Sequence, residues 1–352
     1  MANKDVYYKD YLQLDKILEA QQPESELQGK EAHDEMLFII IHQTYELWFK
    51  QIIHELTSVH KIFSKKEIKD TSPDLQVAVH RLKRIAKILE VGVSQISIIE
   101  TMTPLDFLDF RNMLRPASGF QSTQFKRVEA MLGLKMEERF GKEYYTSQLC
   151  PMDKKIVEDS ENNTRPFIDL LNEWLERMPF WTDSKYWDEY TQKVTNGDEN
   201  LHVFWQDYKS IYEESLQEVE KKNLKRFEDV CLAKENVLKR RLSPAASRTA
   251  LFIMLYRDFP LLQMPYQLLN TLLDIDEQMA TWRFRHINMV HRMIGTRVGT
   301  GGSTGKDYLQ SALNKHYIFK EIAELTSFMV ERYRLPVLDK DLQDALSFVR
   351  KS

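Results

Sequence analysis

Between Asp34 and Phe63 the apolar side chains Phe38, Ile41, Tyr45, Phe49, Ile52, Leu56, Val59 and Phe63 recur every three or four residues. At about 100° per residue they share one face, so the spacing predicts one amphipathic helix. A helix of that length, roughly 45 Å at 1.5 Å per residue, needs partners of similar length to cover its stripe. Turn residues are scarce to match: 11 Gly and 11 Pro in 352 residues, where an average chain uses about twice as many. So few turns exclude an all-β sandwich or a much-crossed α/β sheet. The expected class is all-α, a helical bundle forming one domain over residues 1–352.

Further start and stop signals divide the chain. Ser64 to Pro73 reads as a polar loop, and Ser72-Pro73 as the cap and first residue of a helix striped with Leu75, Val79, Leu82, Ala86, Leu89 and Val93. Thr103-Pro104-Leu105-Asp106 places an acid three residues after a threonine, a variant of the capping box. The helix it opens carries Phe107, Phe110, Arg111 and Leu114, and stops near Arg115-Pro116. Another helix is expected from Ser122 to Leu132. Residues 150–200 are less periodic and read as a peripheral insertion of short helices, and Asn200 to Arg241 as a long charged helical stretch. Ser243-Pro244 opens a helix that Asp258 to Pro265 is expected to break, and a last one covers Ile275 to Ile294.

Composition removes several function classes. The 49 Lys and Arg against 53 Asp and Glu leave −4, which argues against the basic face that nucleic acid requires. Two cysteines, Cys150 and Cys231, cannot build a disulfide framework or a cysteine metal cluster. The longest aliphatic-aromatic run, Met36 to Ile41, is far short of a membrane span. With no secretory signal in Met1 to Leu12, a cytoplasmic location is expected.

The residues able to carry chemistry are few. His42 lies inside the apolar stripe of its helix, and a core histidine bonded to a carbonyl is the plain alternative to a functional one. His60 shares that bearing, but 18 residues of helix, about 27 Å, separate the two. His54 and His291 point to polar faces. His286 emerges among Met279, Trp282, Met289 and Met293, with Arg283, Arg285 and Arg292 nearby. That pattern suits a haem iron with its propionates at a rim of guanidiniums, and equally a packed histidine under surface arginines. Arg111 shares a helix face with Phe107 and so needs an anion, internal or bound. Gly299-Thr300-Gly301-Gly302-Ser303-Thr304-Gly305 could bring backbone N–H groups to an anion, but fits neither a P-loop nor a dinucleotide fingerprint. A single Glu-x-x-His, Glu199 to His202, excludes the paired motifs of a di-iron carboxylate bundle.

Longer strings say more. Met36-Leu37-Phe38-Ile39-Ile40-Ile41-His42-Gln43-Thr44-Tyr45-Glu46-Leu47-Trp48 resembles the distal helix of the tryptophan 2,3-dioxygenase family. So do Asp106 to Arg111, Ser118-Gly119-Phe120-Gln121-Ser122, Trp282-Arg283-Phe284-Arg285-His286, and Gly299 to Ser303. The stretch from Ser243 to Met279 resembles the longer, animal-type members of that family.

The resemblance implies a haem b enzyme that inserts both atoms of O₂ across the indole C2–C3 bond of L-tryptophan, giving N-formyl-L-kynurenine. It implies His286 as the iron ligand, with Ser118 and Gly119 also against the haem. His42 corresponds to the histidine that hydrogen-bonds the indole N–H, and Phe38 to the aromatic floor, with Ile39, Ile40 and Ile41 beside it. Arg111 corresponds to the partner of the substrate carboxylate, and Thr300 to a group holding the amino-acid end. Phe107 stands where some members have Tyr, leaving more of the orientation to Arg111. Tyr8, Tyr11 and Leu12, on an arm covering about residues 1–20, correspond to residues that complete a neighbouring subunit's pocket. A homotetramer, a dimer of dimers, is therefore expected.

Overall fold

The computed structural model describes residues 5–68, 72–134, 149–163, 165–193, 202–295, 297 and 317–347. Three short helices, α1 (Tyr8–Leu12), α2 (Leu14–Leu18) and α3 (Glu24–Leu27), lead into α4 (Glu35–Phe63). After α5 (Asp74–Ile99) come α6 (Pro104–Arg111), α7 (Thr123–Leu132), α8 (Pro151–Asn163), α9 (Phe167–Glu176), α10 (Asp188–Lys193), α11 (Val203–Ser215) and α12 (Lys222–Phe227). Two further helices, α13 (Pro244–Leu255) and the 35-residue α14 (Pro260–Ile294), precede the short α15 (Lys320–Glu324) and α16 (Lys340–Ala345). No strand occurs among the described residues.

The frame is a layer of three long helices: α4 and α14 both lie along α5, and α7 crosses α4. The predicted α4 stripe forms its centre. Ile52, Leu56, Val59 and Phe63 are buried against Val79, Leu82, Ile85 and Leu89 of α5. His60 is the core histidine that its bearing allowed: its Nε2 lies 3.1 Å from the Met131 carbonyl, and burial lowers its pKa to about 4. His54 and His291 are exposed, as their faces predicted. The Thr103–Asp106 capping box is formed in both directions at the start of α6.

Three expectations are corrected. Asn200 to Arg241 is not one helix, because the chain turns extended at Leu216 and Gln217 and is irregular from Ala233 to Leu242. Its charges, which read as a solvated helix face, fasten this path. Arg240 pairs with Glu324, Arg241 pairs with Asp169, and Glu321 accepts from the N–H groups of Arg241 and Leu242. Secondly, the break after α13 is confined to Tyr256–Phe259, and α14 starts at Pro260 rather than at Ile275. Pro265 sits within its second turn, where a missing N–H forfeits one bond near a helix end. Lastly, the 150–200 stretch is not wholly peripheral: Phe167, Leu171, Phe180, Trp187 and Tyr190 belong to the main core.

The α4 stripe outruns that core. Phe38, near its N-terminal end, packs instead in a small second cluster with Leu37, Met102, Phe107, Phe110, Met289 and Met293. The ends of α4, α6 and α14 meet there, which is where the candidate site lies.

Candidate active site

The second cluster is mostly aromatic. Phe38 lies 5.7 Å from Phe107 and 5.6 Å from Phe110, ring centre to ring centre, and those two are 5.5 Å apart and edge-on. Met102, just before the Thr103 cap, joins Phe107 in the cluster. These are positions N′ and N4 of α6, the pair that forms a hydrophobic staple and sets how a helix enters. Met102 went unremarked in the sequence, although its position one residue before a capping box is the signal that identifies it.

His42 stands one turn beyond Phe38 on α4, with ring centres 4.2 Å apart. Its Nδ1 lies 2.7 Å from the Phe38 carbonyl. A carbonyl can only accept, so Nδ1 carries the hydrogen and, in the neutral ring, Nε2 presents a lone pair. The ring has accessible surface, yet burial by the surrounding protein lowers its pKa, against the raising effects of the Phe38 bond and of Glu46. It therefore stands at a recess that solvent reaches, with protein close around it. Of the aliphatic residues beside it, Ile41 is buried, Ile39 is half-buried and Ile40 is exposed. Ile39 and Ile40 lie about 100° and 200° round the helix from Phe38, so they do not share its wall.

His286 approaches the same recess from α14. Burial, and to a lesser extent the proximity of His42, lower its pKa to about 4. Two imidazoles from different helices are thus brought within electrostatic reach, and both are neutral at neutral pH. The His286 ring stacks on Trp282 at 5.1 Å with 3° between planes. Tyr45 and Phe125 hold Trp282 from the other sides, at 6.0 and 5.2 Å. Among the described residues, His286 has no hydrogen-bond partner. A neutral, stacked imidazole in an apolar wall is a donor suited to a haem iron.

Two further features suit such a group. A Cβ added at Gly119 would meet nothing within 4 Å. Gly119 opens a short 3-10 turn capped by Ser118, whose hydroxyl accepts from the Phe120 N–H at 3.3 Å. Arg127 of α7, unnoticed in the sequence, has a buried Nε without a hydrogen-bond partner among the described residues. It lies on the side of α7 that carries Gln124, which donates to the Glu46 carboxylate at 2.9 Å. By contrast, two arginines expected at the rim are committed elsewhere: Arg283 is buried against Glu129 at 2.6 Å, and Arg285 pairs with Glu100 at 2.8 Å.

Arg111 closes the site at the end of α6. It is 4% exposed, covered by its immediate neighbours although it lies near the surface. Burial, then the charges of Arg115 and Arg297, lower its pKa. Arg115 and Arg297 thus add to the positive field around Arg111. Arg115 read only as the end of a helix, and Arg297 is too remote along the chain for any local pattern to place it here. Tyr8 and Tyr11 of α1 are each 74% exposed, and α1 buries none of its residues; Leu12 is half-buried. The structure brings neither tyrosine into this recess. Thr300 and the glycine-rich stretch fall outside the described residues.

A family model described as tryptophan 2,3-dioxygenase matches residues 1–329. The chain is 42% identical to the tryptophan 2,3-dioxygenase of Bdellovibrio bacteriovorus, over 99% of both chains. It is 41% identical to that of Dictyostelium discoideum, covering 99% of this chain and 89% of the relative. The rat protein of that name is 39% identical over 94% of this chain and 84% of its own. Length does not set the chain apart from bacterial relatives, contrary to the expectation drawn from Ser243 to Met279. With the ordered motifs, the helical frame and near full-length identity all in agreement, the chain belongs to the tryptophan 2,3-dioxygenase family.

Proposed function

We propose that this chain is a haem-dependent dioxygenase of L-tryptophan, acting as one helical catalytic domain and releasing N-formyl-L-kynurenine, the opening step of tryptophan breakdown. The observation that carries the reading is the meeting of two neutral imidazoles, His42 and His286, at a recess whose wall is aromatic and whose edge holds the buried Arg111.

In this reading His286 holds the haem iron, with Trp282 fixing the plane of its ring and Ser118, Gly119 and Arg127 facing the macrocycle. Bound haem supplies the activation of O₂, which side chains alone cannot provide. The remaining work belongs to the chain. Phe38, Phe107 and Phe110 give the indole a flat apolar bed and exclude water. His42 keeps Nδ1–H on the Phe38 carbonyl, so Nε2 accepts the indole N–H and fixes which edge of the ring faces the reaction. Arg111 takes the carboxylate in its planar fork, assisted by the positive field of Arg115 and Arg297. Thr300 holds the same end of the substrate. Binding both ends of the molecule orients the C2–C3 bond before reaction. Without a phenol at position 107, the aromatic bed adds no hydrogen bond, and the carboxylate depends the more on Arg111.

The spectrum of haem-reconstituted, reduced protein tests this reading directly. The expected result is a Soret band that shifts with L-tryptophan, followed by N-formylkynurenine absorbance when O₂ is admitted. A Soret band that shifts without product would mean a haem-linked tryptophan sensor, and no haem binding would end the proposal.

The assembly is proposed as a homotetramer, a dimer of dimers, with each arm reaching a neighbour's pocket. Its support is the row of exposed apolar side chains on residues 6–18, namely Val6, Tyr7, Tyr8, Tyr11, Ile17 and Leu18. Such a patch is costly in water and marks an interaction surface. Deleting residues 1–14 should lower activity at least about tenfold, on the loss of a single aromatic contact of the hot-spot kind, while helicity stays unchanged by circular dichroism. A fully active truncated monomer on size-exclusion chromatography would contradict the shared pocket. No helix among the described residues is long and apolar enough to cross a membrane. A cytoplasmic location remains part of this proposal.

A further inference from the structure

Glu35 is the first residue of α4 and is 1% exposed. A carboxylate so covered needs donors for its oxygens. It finds two: Oε1 accepts the N–H of Glu24 and Oε2 that of Ser25, both at 2.9 Å. These are the first two amides of α3, which a helix start leaves without partners of its own. The joint is therefore reciprocal, each side satisfying groups the other would strand. Ser25 completes it by accepting the N–H of Ala32 at 3.1 Å, which closes the loop between α3 and α4.

The joint has a consequence for the recess. On α4, Phe38 follows Glu35 by one turn and His42 by two, so all three lie toward one side of the helix. On the other part of the joint, α3 packs against the 3-10 turn Asn112–Leu114, which continues directly from Arg111. Ala32 and Leu114 both pack into the cluster that holds Phe38. Glu35 thus links the α4 face that carries Phe38 and His42 to the segment on which Arg111 ends.

We propose that Glu35 is a positioning residue for the carboxylate end of the substrate, setting the distance between the aromatic bed on α4 and the Arg111 guanidinium. The proposal rests on the reading that Arg111 takes that carboxylate. A smaller or uncharged residue leaves α3 free to shift, and the turn after Arg111 shifts with it, while the indole-binding side of α4 stays in place. The predicted signature is selective: recognition of the amino-acid end weakens and the indole end is spared.

Glu35→Gln keeps the volume and one acceptor, but turns an NH₂ toward an amide N–H. The test measures steady-state kinetics of haem-loaded wild type, Glu35→Gln, Arg111→Leu and the double variant, with tryptamine, which lacks the carboxylate, as substrate or competitive inhibitor. Helicity and haem content are checked in each. For Glu35→Gln the KM for L-tryptophan should rise about tenfold, the worth of one hydrogen bond to a charged group, with kcat within about twofold. Tryptamine constants should not move. In the Arg111→Leu background the same change should add less than about twofold, because the two act through one contact. Glu35→Asp, which keeps the charge on a shorter stem, should fall between, and serves the same comparison if Glu35→Gln does not fold. An unchanged KM in both Glu35 variants, beside a clear loss in Arg111→Leu, would overturn the proposal. Equal losses on L-tryptophan and tryptamine, or additive losses in the double variant, would reduce Glu35 to a stability role. If Arg111→Leu itself has no effect, the underlying reading fails and takes this one with it.

Discussion

Haem retention is expected to fall more than about 100-fold in His286→Ala, judged against the 10- to 100-fold typical of losing a mere supporting contact to a metal ligand. The helix itself should survive the change. Residue 286 sits well inside α14, flanked by the buried Met279, Arg283, Ile287 and Met293, and alanine is the best helix former. Losing haem therefore reports on the imidazole and not on unfolding. Burial holds the pKa of His286 at about 4, so its ring is the neutral donor across the physiological range and needs no proton release to bind metal. The measurement is the ratio of haem to protein after gel filtration, since apolar walls adsorb some haem without ligating it. Imidazole added to His286→Gly should restore a ligated spectrum. His42→Ala is the control and should keep its haem, because its partner is the indole. Haem at full occupancy in His286→Ala would remove this residue as the ligand.

The frame of the site was legible in the sequence because its helices bury one continuous stripe. Phe38 to Phe63 could be placed on one face of α4, and the capping box at Thr103 located the start of α6 to the residue, although the helix ends at Arg111 and a 3-10 turn carries Leu114. Periodicity failed where tertiary contacts decide. Leu216 and Gln217 carry no Gly or Pro, so nothing local announces that the chain turns there, and carboxylates of Asp169, Glu321 and Glu324 fasten the irregular stretch that leads to α13. Arg283 and Arg285 show the same limit for charge: the sequence reveals the cations, but not that Glu129 and Glu100, from distant helices, already neutralise them. Each half of the site was visible as a histidine on an apolar face. That His42 and His286 share one recess results only from how α4 and α14 both pack on α5, and before folding it could be reached only through the resemblance of whole strings. Glu35 escaped notice because an acid at a helix start reads as ordinary dipole compensation.

Arg111→Leu is expected to lower kcat/KM for L-tryptophan by about 10- to 150-fold, the equivalent of about 1.5–3 kcal/mol for hydrogen bonds between charged groups. Most of the loss should appear as a raised KM, with a smaller fall in kcat as the indole becomes free to bind in unproductive orientations. Leucine fills much of the space, so the change removes charge more than packing. It should also relieve the mutual repulsion with Arg115 and Arg297. Arg111→Lys, which keeps the charge but not the planar fork, should recover only part of the affinity. The decisive comparison is again with tryptamine. A substrate without a carboxylate gains nothing from the guanidinium, so its binding should stay constant in Arg111→Leu. Discrimination between the two compounds should then collapse by at least the factor that L-tryptophan loses. Unchanged discrimination, with unchanged kinetics, would place the carboxylate elsewhere in the recess.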